Sequence, residues 1–121
     1  MAGALVELTR VLLMLPRVEL ARGAGGPAPL VKRFRVLGRR CRARDIAERK
    51  RLRMVIARVD ACLPDRGNCY RRALLEIALD AGAAQEPFHM GLSASCAPMS
   101  GHAWVGIEGT GESNYDAIIA L

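Results

Sequence analysis

Aromatic side chains are scarce: Trp104, Tyr70, Tyr115, Phe34 and Phe88 make up 4% of 121 residues. Modules that bind RNA or single-stranded nucleic acid need several exposed rings on which bases stack, so no nucleic-acid partner is expected. The chain has no C-x-x-C pair among Cys41, Cys62, Cys69 and Cys96, and its only histidines are His89 and His102. Zinc-ribbon spacing is therefore missing; no metal and no other cofactor is expected. Long apolar runs are also missing. Glu7, Arg10, Pro16, Arg17 and Glu19 interrupt the N-terminal stretch, so neither a secretory signal nor a membrane span of about 20 apolar residues is expected. These absences point to a cytoplasmic protein whose cysteines are thiols.

What the sequence does contain suits one folded domain. Hydrophobic residues make up 51% and charged residues 25%, which is ordinary globular usage and not that of a disordered chain. The net charge of +6 is unevenly spread, with +1 over residues 1–31, +11 over 32–72 and −6 over 73–121, where Lys and Arg are absent. A basic middle is either a set of solvated helix faces or a surface for an anionic partner.

Leu5, Leu8, Leu12 and Leu15 recur at helical spacing and put a leucine stripe on a first helix that Pro16 bends or ends. Gly23 to Pro29 reads as a loop. Leu30, Phe34, Leu37 and Cys41 mark a basic amphipathic second helix. Asp45 and Glu48 form a capping-box signature for a third, whose apolar face is Ile46, Leu52, Val55, Ile56 and Val59. After the turn at Pro64 to Asn68, a helix opens at Cys69 and continues through Ala81, with Gly82 as its C-terminal cap. From Phe88 the period becomes two, which predicts strands at 88–94 and 102–107 and a return strand from Asn114 to Ile119 after Gly109-Thr110-Gly111. The class is α+β: a helical, basic part over 1–60, then a core over 61–121 with an antiparallel meander.

Cys69 stands where unpaired N–H groups and the helix dipole favour a thiolate, the form that attacks a carbonyl carbon. The same N–H groups can hold an oxyanion. His102, 33 residues on, can accept the thiol proton and return it to a leaving amine. Asn114 and Asp116 are the polar residues of the next strand that could orient the imidazole. A three-residue hairpin loop sets Trp104 opposite Asp116 and Gly106 opposite Asn114, which favours Asp116 as the third member and leaves Asn114 as the alternative. Trp104 shares the strand face of His102 and either covers the site or packs in the core. Arg71 and Arg72 are solvated or structural residues, or contacts for substrate acids. His89, on the polar strand face, reads as a surface or hydrogen-bonded histidine. Cys41, Cys62 and Cys96 read as small apolar fillers or loop thiols.

The segments Asn68-Cys69-Tyr70-Arg71-Arg72-Ala73-Leu74, Ala81-Gly82-Ala83 and Gly101-His102-Ala103-Trp104-Val105 together resemble the transglutaminase-like cysteine proteases that act as leader peptidases in lasso-peptide biosynthesis. The likeness covers roughly residues 55–121. It implies a transglutaminase- or papain-like core and a Cys69–His102 pair with an acidic or amide third member; Arg72 and Trp104 fit family positions beside that pair and are the candidate substrate contacts. It also implies a precursor peptide as substrate, a separate leader-binding protein and a partner macrocyclase. The family's third catalytic position, an Asp about a dozen residues after the His, is held here by Asn114; the nearest Asp is Asp116. A transglutaminase or amidase of the same fold, and a non-catalytic basic adaptor for peptides, are the alternatives.

Overall fold

The computed structural model describes residues 2–93, 100–106 and 117–121. Five helices, α1 (Ala2–Arg22), α2 (Pro27–Arg39), α3 (Ile46–Ala61), α4 (Cys69–Leu79) and α5 (Ala81–Gln85), precede three strands, β1 (Phe88–Ser93), β2 (Ser100–Val105) and β3 (Ala117–Ala120). The α+β class expected from the change of period at Pro87 is what is found. None of these helices is long and apolar enough to cross a membrane.

α4 is the hub. Its residues from Ala73 to Leu79 are all buried, because α1, α2, α3, α5 and β2 pack around it. Buried from the other helices are Val11 and Val18 of α1, Leu30, Val31 and Phe34 of α2, and Leu52, Val55 and Ile56 of α3. α2 crosses α4 so closely that a Cβ at Gly38 would sit 1.8 Å from the Ile77 carbonyl oxygen. A hydrogen is all that fits there.

Four local expectations are corrected. α1 does not end at Pro16 but continues to Arg22; Pro16 is exposed, and the solvent side of a helix is where a missing backbone N–H is best tolerated. Its leucine stripe is not the face turned inward: Leu5, Leu8 and Leu12 are exposed, while Glu7, Val11, Val18 and Ala21 are buried. Glu7 goes inside because Arg44 is there to pair with it. On α3 the capping box forms, Asp45 accepting from Glu48 N–H and Glu48 from Asp45 N–H, but Ile46 is exposed and does not join the apolar face. Gly82 does not end α4. The carboxylate of Asp80 accepts the N–H groups of Gly82 and Ala83 and starts α5 instead.

The sheet is antiparallel with the order β2-β1-β3, so it is no meander. β1 is central: His102 pairs with Gly91 and Trp104 with His89, while Ile118 of β3 pairs with the other side of Gly91. Leu121 closes the β1–β3 ladder by exchanging both backbone hydrogen bonds with Phe88 at 3.0 and 2.7 Å, and Arg35 of α2 donates to the Leu121 and Glu86 carbonyl oxygens. The hairpin register that set Asp116 beside Trp104 required β3 to pair with β2. The strand beginning at Ala117 pairs with β1. Asp116 and Asn114 lie outside the described residues.

Candidate active site

Cys69 is the first residue of α4, and its position is set by the residues just before it. Asn68 is the N-cap: its side-chain oxygen accepts the Arg71 N–H at 3.0 Å and its carbonyl the Arg72 N–H at 3.1 Å. The N–H groups of Cys69 and Tyr70 have no acceptor among the described residues and stand open at the helix end. Gly67, with φ +81°, lets the chain turn into the cap.

Beneath this turn lies Arg71, whose side chain is fully buried. Its guanidinium pairs with Asp60 of α3, donates to Asp65 at 2.6 Å, and reaches Glu19 of α1 at 3.4 Å. The other Asp60 oxygen accepts the Gly67 N–H at 2.7 Å, and Arg22 of α1 joins Asp65 at 3.1 Å. The guanidiniums of Arg71 and Arg22 hold the Asp65 carboxyl well below the usual carboxylate range. Five charged side chains from two helices, the 62–68 turn and α4 thus fix the loop that delivers Cys69. Of the two readings left open for Arg71, the structural one is what the burial supports. The network itself was not legible in the sequence, since Glu19, Arg22, Asp60 and Asp65 follow no spacing rule relative to Arg71.

β2 runs past the same helix end. Its Ala103 N–H donates to Cys69 Sγ at 3.2 Å, which ties the sulfur to the strand that carries His102. His102 precedes Ala103 and lines, with Cys69, Arg72 and Trp104, a cleft of about 300 Å³ between α4, α3 and β2. The sequence-predicted Cys69, His102, Trp104 and Arg72 are therefore brought to one place. Trp104 is largely buried. It stacks on His102 with ring centroids 5.5 Å apart and on His89, its partner across the ladder, at 5.3 Å. His89 is then a packing residue beside the site, with its buried Nδ1 lacking a hydrogen-bond partner among the described residues.

Burial, and after it the positive charge of Arg72, push the His102 imidazole below its ordinary value. Its neutral form is favoured near neutral pH, which suits an imidazole that must accept a proton. Deeper in the cleft, Glu76 is paired with Arg53 at 2.7 Å and Arg49 at 2.9 Å. Arg72, on the wall beside Cys69, has no carboxylate partner among the described residues. Of the other cysteines, Cys41 is half-buried and bonded to the Leu37 and Ala78 carbonyl oxygens, Cys62 is exposed at the end of α3, and all three described cysteines are free thiols. Cys96 lies outside the described residues. No group of His, Cys, Asp and Glu among the described residues could hold a metal ion.

Comparison with protein-family models, with curated proteins and with solved structures finds no match for this chain.

Proposed function

We propose that the protein is a cysteine peptidase of the transglutaminase-like type, built to cleave the leader from a ribosomally made precursor peptide. The observation that supports this most is the juxtaposition of Cys69 Sγ, the Ala103 N–H at 3.2 Å and His102 in one open cleft. An inert packing cysteine has no need of a histidine in the same cleft, nor of open N–H groups at its own helix end.

In the reaction, neutral His102 takes the Cys69 proton and the sulfur attacks the scissile carbonyl carbon. The carbonyl oxygen becomes an oxyanion, for which the N–H groups of Cys69 and Tyr70, without an acceptor among the described residues, serve as donors. The intermediate collapses, the C–N bond breaks, and the imidazolium gives its proton to the leaving amine. A water, deprotonated by the same imidazole, then attacks the thioester; the acid product leaves and the thiol recovers its proton. Arg72 and Trp104 flank the substrate; the third member of the triad, Asp116 or Asn114, lies outside the described residues.

The test is to incubate the protein with a library of unstructured peptides and read the newly formed N-termini by mass spectrometry. New termini that vanish in both Cys69→Ala and His102→Ala support a peptidase. Termini that persist in both variants overturn it, and coupling of an added primary amine without new termini replaces it with a transglutaminase of the same site.

A further inference from the structure

We infer that the outer face of α1, together with the groove beside it, docks an acidic amphipathic helix of a partner protein. α1 is apolar on both sides. Its inner side is in the core, yet Leu13 and Leu20 are 72% and 78% exposed, and Leu5 and Leu12 are also open to solvent. Four leucines exposed along the outer side of a helix whose inner side is already in the core mark an interaction surface.

The charge beside this ridge identifies the occupant. A cavity of about 320 Å³ between α1 and α2 is lined by Arg17, Arg33 and Arg40, and a second of about 280 Å³, between Arg10 of α1, the 40–44 segment and Leu79, shares Arg40 with it. Arg17, Arg33 and Arg40 have no carboxylate partner among the described residues, in contrast to Arg44, Arg49, Arg53 and Arg71, whose charges are met inside the fold. A second copy docked through the same face would set arginine against arginine, since the two acids of α1 are already engaged, Glu7 with Arg44 and Glu19 with Arg22 and Arg71. A nucleic-acid backbone gains nothing from the leucine ridge. A bilayer is flat, whereas this surface is a ridge next to a concave groove, which is how one helix receives another. Leucine against the ridge and glutamate in the groove complement both halves.

The experiment uses the whole chain and a fluorescein-labelled synthetic helix of about 20 residues, with leucine along one face and glutamate on its flanks, read by anisotropy. Binding is expected to weaken with salt and to fall roughly tenfold or more in both Leu13→Glu and Arg40→Glu. A lysine-flanked helix with the same leucine face is expected not to bind. Both substituted side chains are exposed, so thermal melts are expected to match the parent; Leu20→Glu replaces Leu13→Glu should that variant melt early. Failure to bind the glutamate helix overturns the proposal, and so does loss in Arg40→Glu without loss in the leucine variants. Preferential binding of phosphatidylcholine–phosphatidylglycerol vesicles or of duplex DNA, or a dimer in sedimentation that Leu13→Glu dissolves, assigns the surface to another occupant and overturns it too. None of these readouts depends on peptidase activity.

Discussion

The Cys69 side chain is half-buried at the tip of α4, so removing its sulfur costs little packing and, if the proposed chemistry is right, all of the turnover. Cys69→Ala is expected to keep the circular dichroism spectrum and thermal midpoint of the parent and to lose cleavage, whereas Cys41→Ala and Cys62→Ala retain it; a single-turnover assay checks this. His102 carries a second prediction. Because burial and then Arg72 lower its affinity for a proton, the neutral base is present from a pH below the ordinary histidine value of about 6.5, and activity should rise through that lower pH. Arg72→Gln removes a cation that disfavours the imidazolium, so the acid limb should move to higher pH, while burial keeps it from moving the whole way. A limb that stays in place would show that Arg72 does not act on His102. The same shift makes stability rise with pH between the folded and unfolded values, where only the unfolded chain binds this proton. At this scale the sequence was informative: a cysteine opening a helix and a histidine in an alternating strand are local facts, although β2 begins at Ser100, two residues before His102. The support beneath Cys69 was not, because a buried Arg71 is satisfied by residues brought from α1 and α3.

Among the elements, the turn from Asp65 to Asn68 depends on Arg71. Arg71→Leu leaves Asp60 buried without its cation, a loss of about 3–5 kcal/mol, measurable from denaturant midpoints. The double variant with Asp60→Leu should recover much of that stability, since no charge is then left alone, but it should not recover activity, because the cap that aims Cys69 has lost its anchor. Equal recovery of both would reduce Arg71 to a stability role. α2 offers a second test. A Cβ at Gly38 would lie 1.8 Å from the Ile77 carbonyl oxygen, so Gly38→Ala must push α2 off α4 and should cost at least about 2 kcal/mol. The capping box at Asp45 and Glu48 was legible because its partners are three residues apart. The face of α1 was not. When both sides of a helix are apolar, periodicity finds a stripe but not which one the rest of the chain will cover, and here Arg44 settles it by drawing Glu7 inward. Strand order failed for the same reason: alternation marks β1, β2 and β3, but their neighbours are chosen by pairings such as Phe88 with Leu121, far apart in sequence. Gly82 reads as a helix stop until Asp80 is seen accepting its N–H.

Across the molecule, the charge imbalance of the sequence is partly cancelled by folding. Glu76, Asp80 and Glu86, from the stretch without a basic residue, meet Arg49 of the basic middle, and Glu76 also meets Arg53. Part of the +11 segment is therefore internal cement between α3 and the acidic 76–86 stretch, while Arg33 and Arg40 of the same segment have no carboxylate partner among the described residues. The helices and the small sheet serve one geometric end, which is to bring the N-terminus of α4 against β2 so that Cys69, Ala103 and His102 meet. Whether that meeting makes a working nucleophile is measured most directly by site-resolved alkylation, following the rate at which iodoacetamide modifies each cysteine by peptide mass spectrometry. Faster modification of half-buried Cys69 than of exposed Cys62, with the advantage lost in His102→Ala, is the predicted result; Cys62 reacting first, with Cys69 indifferent to His102→Ala, would contradict the account.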